Sequence, residues 1–69
     1  MTVIEMLNKI AKDEKYLPLK IKLYGDIFKW NALEGDWFNK DGLGLLEYNI
    51  PFRLNNEIEV LMDNEKIQQ

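Results

Sequence analysis

Leu19-Lys20-Ile21-Lys22-Leu23-Tyr24-Gly25-Asp26-Ile27-Phe28-Lys29-Trp30 is the stretch on which the fold turns. Leu19, Ile21 and Leu23 alternate with Lys20 and Lys22, the period-two pattern of a strand with one oily and one wet face. Gly25-Asp26 reads as a two-residue hairpin turn, and Ile27 to Trp30 resumes the strand. With that turn, Leu23 faces Phe28, Ile21 faces Trp30 and Leu19 faces Ala32, which gathers six apolar residues on one face of the hairpin. A one-residue slip would scatter them. The same register sets Lys22 opposite Lys29 and Lys20 opposite Asn31 on the outer face, where like charges repel unless acids lie beside them.

The end of the chain offers such acids. In Glu57 to Met62, Ile58, Val60 and Met62 share one face and Glu57 and Glu59 the other, so a last strand starting at Asn55-Asn56 matches the hairpin on both sides. Glu57 and Glu59 are therefore expected to face the Lys20, Lys22 and Lys29 stripe and neutralise it. From Asp63 to Gln69 the sequence reads as a frayed polar tail.

Before the hairpin, Thr2-Val3-Ile4-Glu5 fits a capping box. Val3, Ile4, Met6, Leu7, Ile10 and Ala11 then recur at helical spacing. The helix is expected to stop near Asp13 to Lys15, because Pro18 disfavours helix at Leu17. After the hairpin come a turn at Glu34-Gly35-Asp36, a short strand at Trp37-Phe38 and a turn at Asn39 to Gly42. Leu43 to Tyr48 fits a helical turn or an irregular strand, and Ile50-Pro51 calls for extended backbone. The expected fold is α+β: one N-terminal amphipathic helix packed on a three- to four-stranded antiparallel sheet, a single domain over 1–69 with a polar tail from about 63.

At 69 residues there is room for one small core, and 46% hydrophobic residues suffice to build it. Without cysteine no disulfide supports that core, so packing or self-association must, and a homo-oligomer is one way to supply it. The N-terminal sequence has no signal-peptide pattern and no stretch approaches a membrane span, which leads us to expect a soluble cytoplasmic protein without a membrane partner. Charge is uneven. Residues 1–33 carry six lysines against four acids, and residues 34–69 carry eight acids against three basic residues, for a net charge of −3 and a pI near 4.8. That balance argues against a dedicated nucleic-acid binder.

Histidine, cysteine and serine are absent and the only threonine is the helix cap, so the nucleophile–base arrangements of most hydrolases and transferases cannot be assembled. We expect no catalytic residues and no cofactor. Trp37 to Gly42 approaches the calcium loop D-x-[DN]-x-[DN]-G, but Trp37 stands at the first ligand position and Tyr48 at the twelfth, so no metal site is expected. What remains is binding. Glu34, Asp36, Trp37, Asp41 and Glu47 form the candidate partner-binding set, acids with an aromatic that suit a basic protein surface. The alternative surface is Lys20, Lys22 and Lys29, which can track a nucleic-acid backbone if unmasked.

Three pieces, "VIEMLNKIA", "LKIKLYGDIFKW" and "LNNEIEVLMDNEKI", together resemble a group of small proteins of no established activity encoded by phages and prophages of Gram-positive bacteria. The chain departs from that group at Lys12 to Lys15, where the group often has an asparagine-glycine-glutamate turn, and at Asn56, where it often has an acid. The resemblance implies a phage origin and supplies no site residues. The function expected is that of a small non-enzymatic binding protein that occupies the surface of a host or phage protein, for example as an inhibitor of a host or defence enzyme. A nucleic-acid-binding module and a phage structural or assembly component are the alternatives.

Overall fold

A computed structural model describes residues 1–47 and 53–64. Among the described residues are the helix α1 (Val3–Lys12) and the strands β1 (Pro18–Leu23), β2 (Asp26–Asn31), β3 (Asp36–Phe38) and β4 (Glu59–Asp63). The strands form one sheet in the order β3-β2-β1-β4, every neighbouring pair antiparallel. The α+β expectation thus holds, with the sheet at four strands.

α1 begins as its sequence dictates. The Thr2 hydroxyl accepts the Glu5 amide at 3.2 Å and the Glu5 carboxylate accepts the Thr2 amide at 2.7 Å, both halves of a capping box. That hydrogen bonding also holds the Glu5 carboxyl below its ordinary pKa. The next two amides, which have no intrahelical partner, donate to the end of the chain: Val3 to the Asn56 carbonyl at 3.0 Å and Ile4 to the Leu54 carbonyl at 2.9 Å. Thr2→Ala should therefore lower the unfolding free energy by about 1 kcal/mol, read from a shift of the urea midpoint at unchanged slope.

Val3 and Met6 of α1 pack into a core with Ile21 and Leu23 of β1, Phe28 of β2, Trp37 of β3, Leu45 and Ile58. The helix thus covers one face of the sheet and leaves the other open. Trp37 is the largest fully buried side chain. Its indole N–H donates to the Pro18 carbonyl at 2.8 Å, and its ring lies 4.7 Å, centroid to centroid, from that of Trp30 at a 57° tilt. Trp30 is half-buried at the rim, so the central aromatic is the one on the three-residue strand.

The hairpin register differs from the expected one by two residues. Leu23 pairs with Asp26, Ile21 with Phe28 and Lys20 with Lys29, so the turn is Tyr24-Gly25 and not Gly25-Asp26. Both turn residues have positive φ, 52° at Tyr24 and 78° at Gly25, the geometry that matches a two-residue turn to the twist of its strands. A two-residue shift preserves parity, so Ile21, Leu23, Phe28 and Trp30 keep the inner face, but Ala32 falls in the following turn and the outer pairs become Lys20 with Lys29 and Lys22 with Ile27.

The last strand begins later than expected. Glu57 bridges Thr2 across the helix start, and β4 starts at Glu59. A register irregularity between the Ile21–Val60 and Lys20–Met62 pairs moves Met62 off the inner face that Ile58 and Val60 share, and it is exposed. The expected tail does not start at 63. Asp63 belongs to β4, and Asn64 is docked on Leu17, its backbone N–H donating to the Leu17 carbonyl at 3.0 Å and its side-chain oxygen accepting the Leu17 amide at 2.8 Å, while its amide group reaches the Lys15 carbonyl. Residues 65–69, Tyr48 and the Ile50-Pro51 step lie outside the described residues.

Candidate functional site

The five acidic-set residues divide in two. Asp36 and Trp37 are 5% and 2% exposed, so neither presents a side chain to a partner, which corrects the expectation for both. Trp37 is held by the core and by Pro18. Asp36 serves the backbone: its carboxylate accepts the Trp37 amide at 2.7 Å and the Leu46 amide at 3.0 and 3.1 Å. An acid followed by two aromatics in a short strand carries no sequence signal that separates a buried backbone acceptor from a surface charge.

Glu34, Asp41 and Glu47 are exposed, and the topology brings them to one edge. Past the Asn39–Gly42 turn the chain returns beside β3. Asn39 donates its amide to the Leu43 carbonyl at 3.1 Å, Gly44 bridges Phe38, and the Leu45 amide donates to the Trp37 carbonyl at 2.8 Å. This resolves the ambiguous 43–47 stretch as an irregular strand-like return ending in a turn. It places Glu47 near the Asp36 end of β3 and Asp41 near the Phe38 end. The Asn39 side-chain oxygen pins the loop by accepting the Asp41 amide at 3.0 Å and the Leu43 amide at 2.8 Å.

Close approach explains Gly44. A Cβ there would sit 2.6 Å from the Asp36 Oδ2 and within 3 Å of Glu47, and Asp36 is fixed by its two amides. Gly44→Ala is expected to destabilise by about 1–3 kcal/mol through this overpacking, measured by urea unfolding.

The residue that sequence reasoning passed over is Leu33. It is 97% exposed at the tip of the β2–β3 turn, next to Glu34. The turn is built to stay put: the Asn31 side-chain oxygen accepts the Leu33 amide at 3.0 Å and the Glu34 amide at 3.2 Å, and the Asn31 backbone carbonyl accepts the Gly35 amide at 2.8 Å. The only hint in the sequence is an apolar residue, Leu33, inside the Asn31–Gly35 turn cluster.

On the open sheet face the lysine stripe is not masked as expected. Glu57 makes its ion pair with the Met1 amine at 2.9 Å, and that hydrogen bond raises the amine above its ordinary pKa. The contact is exposed and loosens as the pH rises through the amine's folded pKa. Glu59 lies opposite Lys22, but Lys20 faces Lys29 directly and its neighbour on β4 is Met62. Among the described residues, none of these three lysines forms an ion pair. Lys20, Lys29 and Lys40 border an open groove of about 520 Å³ floored by Ile27 and Phe38.

Among the described residues no helix is long and apolar enough to cross a membrane, and no three of His, Cys, Asp and Glu gather as a metal site. Comparison with protein-family models, with curated proteins and with solved structures finds no match to this chain.

Proposed function

We propose that this is a non-catalytic binding protein that acts by occupying the surface of another protein, and that the surface it uses is the β3 edge, with Leu33 as its anchor and Glu34, Asp41 and Glu47 as its charges. The observation that carries the reading is Leu33: a leucine left 97% in water on a turn locked by three hydrogen bonds. A flexible tip would lose entropy on binding, and this one is ordered beforehand. The complementary partner has an apolar pocket rimmed by basic groups, for which the acids steer association. A host protein met by a phage product, including an enzyme whose phosphate-binding groove these carboxylates would occupy, is the biological setting this reading favours.

The test is affinity capture from a bacterial host lysate with the parent protein and three variants. Leu33→Asp and the pair Glu34→Lys with Asp41→Lys should each lose the captured partner, whereas Lys22→Glu should retain it. Capture that survives Leu33→Asp and fails with Lys22→Glu would move the binding surface to the open sheet face.

A further inference from the structure

We propose that the groove on the open sheet face is the docking site for the Leu33–Glu34 tip of a second copy of this chain, so that the free protein forms a two-fold dimer in which each tip is sheltered. The proposal rests on the reading of that tip as an anchor and names its first occupant.

Lys20 and Lys29 stand directly opposite each other in the β1–β2 register, a repulsive arrangement, and Lys40 adds a third amine on the β3 side. The acid in the groove lining, Asp26, already accepts the Asn39 side-chain amide at 2.7 Å. Among the described residues these three amines form no ion pair, and they border a floor of Ile27, 42% exposed, and Phe38. Their complement is a carboxylate next to an apolar side chain on a narrow protrusion, and Leu33-Glu34 is such a protrusion.

The tip cannot serve its own groove. Leu33 lies in the turn beyond the Asn31 end of β2, whereas Gly25 to Ile27 and Asn39-Lys40 of the groove lining lie at the other end of the β2–β3 hairpin, so the tip points away from its own groove. Two such ribbons laid antiparallel about a two-fold axis put each tip on the other's groove. The arrangement is isologous and closes on itself, so it yields a dimer and not a fibre. Docking would remove two exposed leucines from water, relieve the Lys20–Lys29 repulsion and add the self-association that a core this small can use. Phosphates of a single strand would also satisfy the amines, but the groove offers one aromatic ring for stacking and the chain is net negative.

Sedimentation equilibrium of the full chain, from micromolar to millimolar concentration at low and high salt, tests this. The expected result is a reversible monomer–dimer equilibrium that weakens with salt, is abolished by Leu33→Asp, and is weakened about tenfold by Lys29→Glu or Glu34→Lys alone. The combined Lys29→Glu, Glu34→Lys variant should recover the dimer, with circular dichroism confirming that all variants stay folded. A monomer at every concentration, a dimer indifferent to Leu33→Asp, or a combined variant that stays monomeric would overturn the proposal. So would tight binding of an oligothymidine by the parent that Lys29→Glu removes, which would give the groove to nucleic acid. If the dimer is absent while Leu33→Asp still abolishes partner capture, only this inference falls; if neither responds to Leu33, the anchor reading falls with it.

Discussion

Trp37→Ala is expected to leave the domain largely unfolded at room temperature. Removing a fully buried indole costs about 3–5 kcal/mol through lost burial and the cavity left behind, and here it also strips the Pro18 carbonyl of its donor at 2.8 Å and Trp30 of the tilted ring it packs against. The single core of a chain of 69 residues rarely supplies more than about 3–5 kcal/mol of net stability, so most or all of it goes. Trp30→Ala, at the half-buried rim, should cost visibly less, and Trp37→Phe should lie between, keeping the ring and losing the hydrogen bond. Urea titrations of the three variants would give this ranking. Equal losses for Trp30→Ala and Trp37→Ala would mean that Trp37 does not hold the centre of the core.

Asp36→Ala should be nearly as damaging for a different reason. The carboxylate is 5% exposed and accepts the amides of Trp37 and Leu46, which tie the 43–46 return to β3. Its removal strands two donors away from water, worth roughly 2–4 kcal/mol together. Glu34→Lys, two residues earlier on the exposed turn, should change stability by less than about 0.5 kcal/mol. The contrast separates a structural acid from a surface one. If both changes lower the urea midpoint equally, Asp36 is no anchor for the return segment.

How far the sequence reached can be seen at particular residues. The capping box at Thr2 and Glu5 was legible because local spacing defines it, and the two faces of the hairpin were legible because parity survives a two-residue shift. The turn itself was not. Tyr24 at φ 52° pays a steric cost that Asn or Gly would avoid, so residue preference pointed to Gly25-Asp26. Tyr24 donates its hydroxyl hydrogen to the Asn56 side chain at 2.8 Å, a partner 32 positions away that no local pattern reveals. Glu57 went astray in the same manner: alternation placed it on the lysine face, but the bridge to Thr2 draws it to the Met1 amine. At the candidate site, composition singled out Glu34, Asp41 and Glu47, which lie exposed. It could not distinguish Asp36 from them, because the amides that bury it come from the Leu43–Glu47 return.

The measurement closest to the central claim is photo-crosslinking from single positions. A photoreactive amino acid placed at Leu33, and separately at Met62 on the open sheet face, would be irradiated with the captured partner present. The account predicts adducts with the partner from position 33 and none from position 62. Adducts from 62 with none from 33 would contradict it and place the partner on the lysine face.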